Sequence, residues 1–442
     1  MKTLVAGIRQ GDITPPQGVR LAGYPHFPRE NTGAHDPLYA TAFYLANGET
    51  ECVFVTLDIL FFSKKYVCDV RSRVNRACGS PEKQILICCS HTHSGPWAAG
   101  NCELEATAGD SEDIDPAYLA DLLDKITDTI IRAKSSAFDA EIGFGEKHCG
   151  AEMGIGGNRR DKNGLADPWI NVMAIREKGG SIRGILTNYA LHPTFLHEDS
   201  SLVSADYPCY LRMELAETFG GALVGFAQGA SGDQSSRYFR QGQSFDEAER
   251  VGRLMGKVAA EAVNAMTFTD TVTLRHAMAE LPIPIREYPP IAELEEKVRV
   301  RTEIYNKLIA DKASYLEIQN ANLRVLGAED MLGYALCVRD GKRIDLRDDE
   351  NPVEISVFAI NDHVLAGSQG ELFVEYALKV REDSPAATTF FFELANGCLP
   401  GYCVNDDAYE EDGYEAGNCM LAPGFGNVVA QTALDLIAEV LA

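Results

Sequence analysis

The chain has 442 residues, 45% of them hydrophobic, with 39 Gly and 19 Pro, a composition that excludes disordered and fibrous classes and allows a large buried core. Forty Lys+Arg stand against 65 Asp+Glu, a formal net charge of -25, which repels phosphate backbones and anionic headgroups and argues against nucleic acid as a partner. No window approaches the ~20 apolar residues needed to span a bilayer.

In chain order, "MKTLVAGIRQGDITPP" meets Arg9, Gln10, Gly11 and Asp12 before any long apolar core forms. It does not read as a secretory signal, and a cytoplasmic location is expected. "CVFVTLDIL" (52–60) reads as a strand followed by an amphipathic helix over 64–77; "QILICC" then leads through "SHTHSGP" to a helix over 116–133. Strand-like runs follow at "SIRGILTNYAL", "ALVGFAQ", "VEISVFAIN", "HVLAGSQG" and "TTFFFELANG", separated by helical stretches such as 245–265. This alternation predicts an α/β fold of mixed β-sheets with flanking helices. The charged stretch 291–326 predicts a long helix or helix pair inserted on the surface of one large domain, 1–442, since no repeat or Gly/Ser linker marks a boundary. Twelve cysteines at irregular spacings read as mostly reduced, buried thiols. Cys88 and Cys89 point to opposite faces of a strand, while Cys398 and Cys403 flank "LPGY" as a soft-metal pair or a plain loop.

Polar residues just after apolar strands are the ones a sheet presents to a ligand crevice. They are His91 and His93, His192, Ser231, Asp233 and Ser235, Glu371, and Tyr402. Imidazole nitrogen and carboxylate oxygen suit a borderline-soft divalent ion, Zn²⁺ first. Each residue also has a purely structural reading. His91 and His93 at i, i+2 share a face if the strand continues and decorate a loop if it stops. His192 fits a satisfied loop histidine, Glu371 an acid in a helix's first turn, Tyr402 a packed aromatic and Ser235 a turn hydroxyl. Their concurrence favours the metal.

Taken together, "GDITPP", "GAHDPLYATAFYL", "VTLDIL", "SHTHSGP", "LHPT" to "SADYPCYLR", "FAQGASGDQSS", "GELF" and "GYCVNDDAYEEDGYEAG" resemble, in order and spacing, the catalytic domain of neutral (alkaline, non-lysosomal) ceramidases. The intervals of seven and five between Tyr402, Tyr409 and Tyr414 are among the most specific parts. The resemblance implies one Zn²⁺ per chain held by His91, His192, Glu371 and Tyr402. His93 would face the reacting amide as hydrogen-bond donor or acid/base, and Ser235 falls on the family's essential serine. Arg159, in "GGNRRD", and Tyr414 would contact the substrate; His35 matches a recurring position without an assigned role. The implied activity is zinc-dependent hydrolysis of an N-acyl amide, ceramide or a smaller substrate, to fatty acid plus amine. An ion with an accessible position polarises a carbonyl and acidifies water at neutral pH. A tyrosine with a free pKa near 10 ligates as phenolate only beside such a cation.

The chain departs from the family in its serine turn, "GDQSSR", in Asp412 and in the 291–326 stretch, and a protein without the family's C-terminal immunoglobulin-like domain is expected. The alternatives are a metal-dependent esterase or other hydrolase, and a non-catalytic metal-binding module of the same fold. An amidohydrolase barrel would require later lysine and aspartate ligands that have no match, and Ser94-Gly95 spoils the HxHxDH pattern of metallo-β-lactamase-like enzymes.

Overall fold

A strand that is apolar on both faces must be covered on both. The run at 52–60 forms such a strand, Glu51–Leu57: Val53, Val55 and Leu57 enter one core, Cys52 and Phe54 another. Its neighbour Ile85–Cys89 divides the same way, Cys89 with the first set and Cys88 with the second. The computed structural model describes residues 2–24, 26–98, 114–342, 345–399, 401–411 and 413–442, so Asp412 lies outside the described residues.

The larger sheet has eight strands in the order Leu223–Gln228, Ile182–Tyr189, Trp169–Glu177, Phe138–His148, Val5–Asp12, Tyr39–Ala46, Glu51–Leu57 and Ile85–Cys89. A fully parallel α/β sheet is not what the alternation of strands and helices produces. Only the outermost pairs are parallel, Leu223–Gln228 with Ile182–Tyr189 and Ile85–Cys89 with Glu51–Leu57; the interior is antiparallel. The sheet also folds back on itself. A Cβ on Gly225 would lie 2.7 Å from Thr56 Oγ1 and 2.8 Å from a Phe43 ring carbon, so the close approach of these strands requires glycine there.

A second sheet, Leu274–Leu281, Val353–Ile360, His363–Ser368 and Thr388–Phe392, lies against the first. Phe54 from one and Phe358 from the other meet edge-on at 5.1 Å, in a shared core with Leu86, Leu365 and Phe390. Helices α1 (Lys64–Cys78), α2 (Pro116–Ser135), α3 (Tyr207–Thr218) and α4 (Phe245–Asn264) pack on the other face of the larger sheet.

The charged stretch becomes two helices, α5 (Ile291–Ala310) and α6 (Tyr315–Arg339). A capping box between Ser314 and Glu317 restarts the helix. Helix α6 then runs past Leu326 to Arg339, because Ala328, Met331, Tyr334 and Ala335 give it a buried face; α5 buries only Leu294. Helices α7 (Val374–Asp383) and α8 (Phe425–Leu441) cover the second sheet. The result is helices, sheet, sheet, helices in one α/β domain, the mixed sheets with flanking helices that the alternation predicts.

Buried charge ties the layers together near the histidine turn. Arg71 of α1 forks onto Glu354 of the second sheet at 2.8 and 2.9 Å and donates to the Ile85 carbonyl. Arg212 of α3 reaches Asp58 at 2.6 Å. Removing one member of such a buried pair leaves the other uncompensated, at a cost of about 3–5 kcal/mol.

Among the described residues eleven cysteines stand outside any disulfide. Cys398 packs in the larger core and Cys403 in that of the second sheet, and neither belongs to the one cluster of potential metal-binding groups among the described residues. His35 stacks on Phe245 at 3.8 Å and contacts Asp36 at 3.1 Å, a packing role at the start of α4. Among the described residues no helix is long and apolar enough to cross a membrane.

Candidate functional site

The chain leaves strand Ile85–Cys89 and reaches His91 in a left-handed conformation, φ 66°. A non-glycine residue holds that conformation when its surroundings impose it. Here the His91 N–H donates to the Ile59 carbonyl at 3.1 Å, and Nδ1 lies 3.3 Å from the Leu60 carbonyl. Both carbonyls belong to the loop after the parallel neighbour strand, so the edge of the sheet aims His91 Nε2 inward. The strand does stop before the histidines. The metal reading rests on the turn, not on strand alternation.

His192 arrives from the far end of the same sheet, beyond strand Ile182–Tyr189. Its Nδ1 lies 2.8 Å from the Ser231 carbonyl and 3.2 Å from that of Gln234. Glu371 follows strand His363–Ser368 of the second sheet and opens the short strand Glu371–Leu372, which pairs in parallel with Tyr402–Cys403 in a sheet of its own and sets Glu371 opposite Tyr402.

The three functional atoms meet. His91 Nε2 and His192 Nε2 are 3.1 Å apart, and Glu371 Oε2 lies 3.2 Å from the first and 3.1 Å from the second. Carbonyls only accept, so each ring carries its proton on Nδ1 and turns a lone pair inward at Nε2. Two lone pairs and a carboxylate facing one another without a proton repel; a cation between them removes the conflict. A tetrahedral ion about 2.0–2.1 Å from its ligands holds them about 3.3–3.4 Å apart, close to the spacing here. Burial, reinforced by the Arg159 cation, pushes the His192 imidazole down to about 4, which keeps it neutral as a ligand must be. Burial acts to raise the Glu371 carboxyl, and positive charge at the His91 and His192 positions holds it well below the usual range, a charge that a bound cation would supply in place of ring protons. The residues fit a Zn²⁺-like ion.

His93 stands closer than a residue reserved for substrate needs to. Its Nε2 is 3.4 Å from His91 Nε2, and ring nitrogens of His91, His93 and His192 all lie within 4.8 Å of one another. It differs from the other two in its partial exposure and in its tether, Nδ1 to the Gly23 carbonyl at 2.8 Å. Burial, and then His91 and His192, push its imidazole well below the ordinary value.

Tyr402 is buried, its ring 6.5 Å from that of His192 and 6.0 Å from that of Tyr414. The Arg159 guanidinium sits 5.1 Å over the Tyr402 ring and donates from Nε to Glu415 at 2.8 Å. Burial and the Glu371 carboxylate push the Tyr402 phenol up, while Arg159 draws it back. One cation is therefore in place to favour phenolate, and an ion among His91, His192 and Glu371 would add a second. Ser235 is buried in a two-residue strand paired with Gly157–Asn158, and its Oγ accepts the Arg237 N–H at 3.2 Å. It follows Gln234, whose carbonyl holds His192, so it borders the cluster in the chain; its hydroxyl bonds within its own turn. Tyr409 lies to one side, donating to the Leu421 carbonyl at 2.7 Å.

A pocket opens over His91, His93 and Glu371. Leu60, Phe61, Trp97 and Leu399 contribute an apolar lining, and Tyr334, Tyr402, Tyr414 and Asn418 a polar one. Sequence reasoning passed over Glu393 and Gly23. Glu393 accepts from Ser231 Oγ at 2.5 Å and from the Leu372 N–H at 3.0 Å, so it braces the segments carrying His192's partner carbonyl and Glu371. Its one signal is an acid ending the apolar run "TTFFF", too common to single out.

Residues 4–244 match the family model described as neutral/alkaline non-lysosomal ceramidase, N-terminal. That range holds His91, His93, Arg159, His192 and Ser235; Glu371, Tyr402 and Tyr414 lie beyond it. The chain is similar to a neutral ceramidase of Mycobacterium tuberculosis, 24% identical over 241 residues, covering 49% of this chain and 37% of that protein. It thus spans little more than a third of that curated relative. Two solved structures resemble it in fold. One is a neutral ceramidase from Pseudomonas aeruginosa, with a TM-score of 0.74 at 16% identity, covering 100% of this chain and 75% of that one. The other is a ceramidase complexed with C2, with a TM-score of 0.74 at 16% identity, covering 99% of this chain and 75% of that one.

Proposed function

The chain belongs to the neutral/alkaline non-lysosomal ceramidase family, and from that premise we propose that it is a zinc-dependent hydrolase cleaving an N-acyl amide, ceramide or a smaller relative, to fatty acid and amine. The observation that carries the proposal is the meeting of His91 Nε2, His192 Nε2 and Glu371 Oε2 at 3.1–3.2 Å with no proton to share. These three and Tyr402 would hold one Zn²⁺ per chain. When bound, the ion supplies a Lewis acid for the carbonyl.

The remaining work falls to the chain's own groups. His93 keeps its proton on Nδ1 against the Gly23 carbonyl, so Nε2 is free to take a proton from the attacking hydroxyl and return it to the leaving nitrogen. Tyr414, on the pocket wall, donates to the carbonyl oxygen as it becomes an oxyanion. Ser235 takes part through its hydroxyl, as nucleophile or by orienting a water. Arg159, stacked on Tyr402, fixes the ring from behind.

Gly23 tests the placement of His93. Its φ is 96°, and a Cβ there would lie 2.6 Å from His93 Cβ, so Gly23→Ala must move the imidazole. Turnover is expected to fall about 10²-fold, the scale of a 1 Å misplacement, with metal content unchanged by elemental analysis. The reading as a whole is tested by screening metal-loaded protein against N-acyl amides of varied chain length, short-chain ceramide included. Chelator-sensitive hydrolysis of at least one is expected. Hydrolysis of none would favour a metal-binding module of the same fold.

A further inference from the structure

Helix α6 presents Gly327, Asp330 and Tyr334 along one stripe, since residues three and four apart share a helix face. At one end of the stripe Gly327 abuts the turn Tyr414–Gly417, where a Cβ would come within 2.9 Å of Tyr414 Cα. At the other end Tyr334 lines the pocket, its hydroxyl donating to Asn418 Oδ1 at 2.8 Å. Asp330 lies between them, only 7% exposed.

Its carboxylate is poorly matched to that position. Among the described residues no hydrogen bond reaches it, and its nearest counter-group, His26 Nε2, stands 3.7 Å away, itself buried and without a hydrogen-bond partner. Burial, with Glu329 adding to it, pushes the Asp330 carboxyl up to about 7. A carboxyl that accepts no hydrogen bond, beside a buried imidazole nitrogen without a hydrogen-bond partner, marks a place where a further polar group fits. The place adjoins the pocket: the Asp330 charge acts on Tyr414, which lines it, and Tyr334, one turn further along α6, lines it too. His26 meets Asp330 from the other side, at 3.7 Å.

We propose that Asp330 recognises the amine half of the substrate, accepting from a hydroxyl of the intact amide and from the ammonium of the released amine. This rests on the amide-hydrolase reading. The two linings of the pocket orient the substrate: Leu60, Phe61, Trp97 and Leu399 suit an acyl chain, and the stripe of Asp330 and Tyr334 suits donor groups. Asp330 acts as a specificity residue; the proton transfers stay with His93 and the oxyanion with Tyr414.

The test is equilibrium binding by calorimetry, which needs no turnover. The probes are a long-chain 2-amino-1,3-diol and, as control, a fatty acid of equal chain length, each titrated into metal-loaded wild type, Asp330→Asn and Asp330→Glu. Asp330→Asn is expected to weaken the amino diol at least tenfold and the fatty acid less than twofold, with Asp330→Glu restoring part of the loss. Both variants are expected to melt no lower than wild type, because the carboxylate accepts no hydrogen bond that the fold depends on. Equal binding of the amino diol to wild type and Asp330→Asn, or wild-type binding no tighter than that of an unsubstituted alkane chain, overturns the proposal. Amide turnover is assayed separately, so Asp330-dependent amine binding without hydrolysis would count against the hydrolase reading alone.

Discussion

Glu371→Ala is expected to empty the metal centre and lower amide turnover by at least about 10³-fold, the scale of several kcal/mol of lost transition-state stabilisation. The carboxylate is the only anion in the triangle with His91 Nε2 and His192 Nε2. Without it two imidazole lone pairs remain 3.1 Å apart, and a divalent ion loses the carboxylate that offsets half of its charge. His91→Ala should act alike, since it removes one of the two inward Nε2 atoms. Elemental analysis of each purified variant, beside kcat on the best substrate, checks this. Retention of a full equivalent of metal by either would show that the triangle is not the binding site.

His93→Ala is expected to do the opposite to the metal and nearly the same to the rate. The ion should stay, because His91, His192, Glu371 and Tyr402 remain. Turnover should fall by about 10²–10⁴-fold, the contribution of a positioned acid/base. The geometry makes this a sharp test, since His93 Nε2 lies only 3.4 Å from His91 Nε2. Loss of metal on replacing His93 would make it a ligand. Loss of rate with metal retained assigns it to the substrate.

How much of this was legible beforehand follows from which interactions are local. The opposed faces of Cys88 and Cys89, and the helices beginning at Lys64, Pro116 and Phe245, follow from periodicity and from caps within a few residues. Asp115, for instance, accepts the N–H groups of Ala117 and Tyr118. The division of the strands into two sheets was not legible. It depends on which apolar run pairs with which, and the pairing of Glu371 with Tyr402 closes a loop that no periodicity records. His91, His192, Glu371 and Tyr402 were singled out because each is polar at the end of an apolar run, and the family resemblance grouped them; the distances are tertiary. Gly23 and Asp330 stayed hidden for the same reason. A glycine signals a turn but not the imidazole packed on it, and a single acid within α6 looks like solvated surface until the helix is seen against Tyr414.

On the proposed function, one zinc ion sits among His91, His192, Glu371 and Tyr402 and amide hydrolysis needs it. The most direct measurement is the metal content of the wild-type protein, taken with amide hydrolysis before and after chelation. About one zinc per chain is predicted, the count for a single catalytic site, with activity lost to chelator and restored by zinc. Protein that binds no metal and hydrolyses amides unaffected by chelator would rule out a catalytic zinc at these residues.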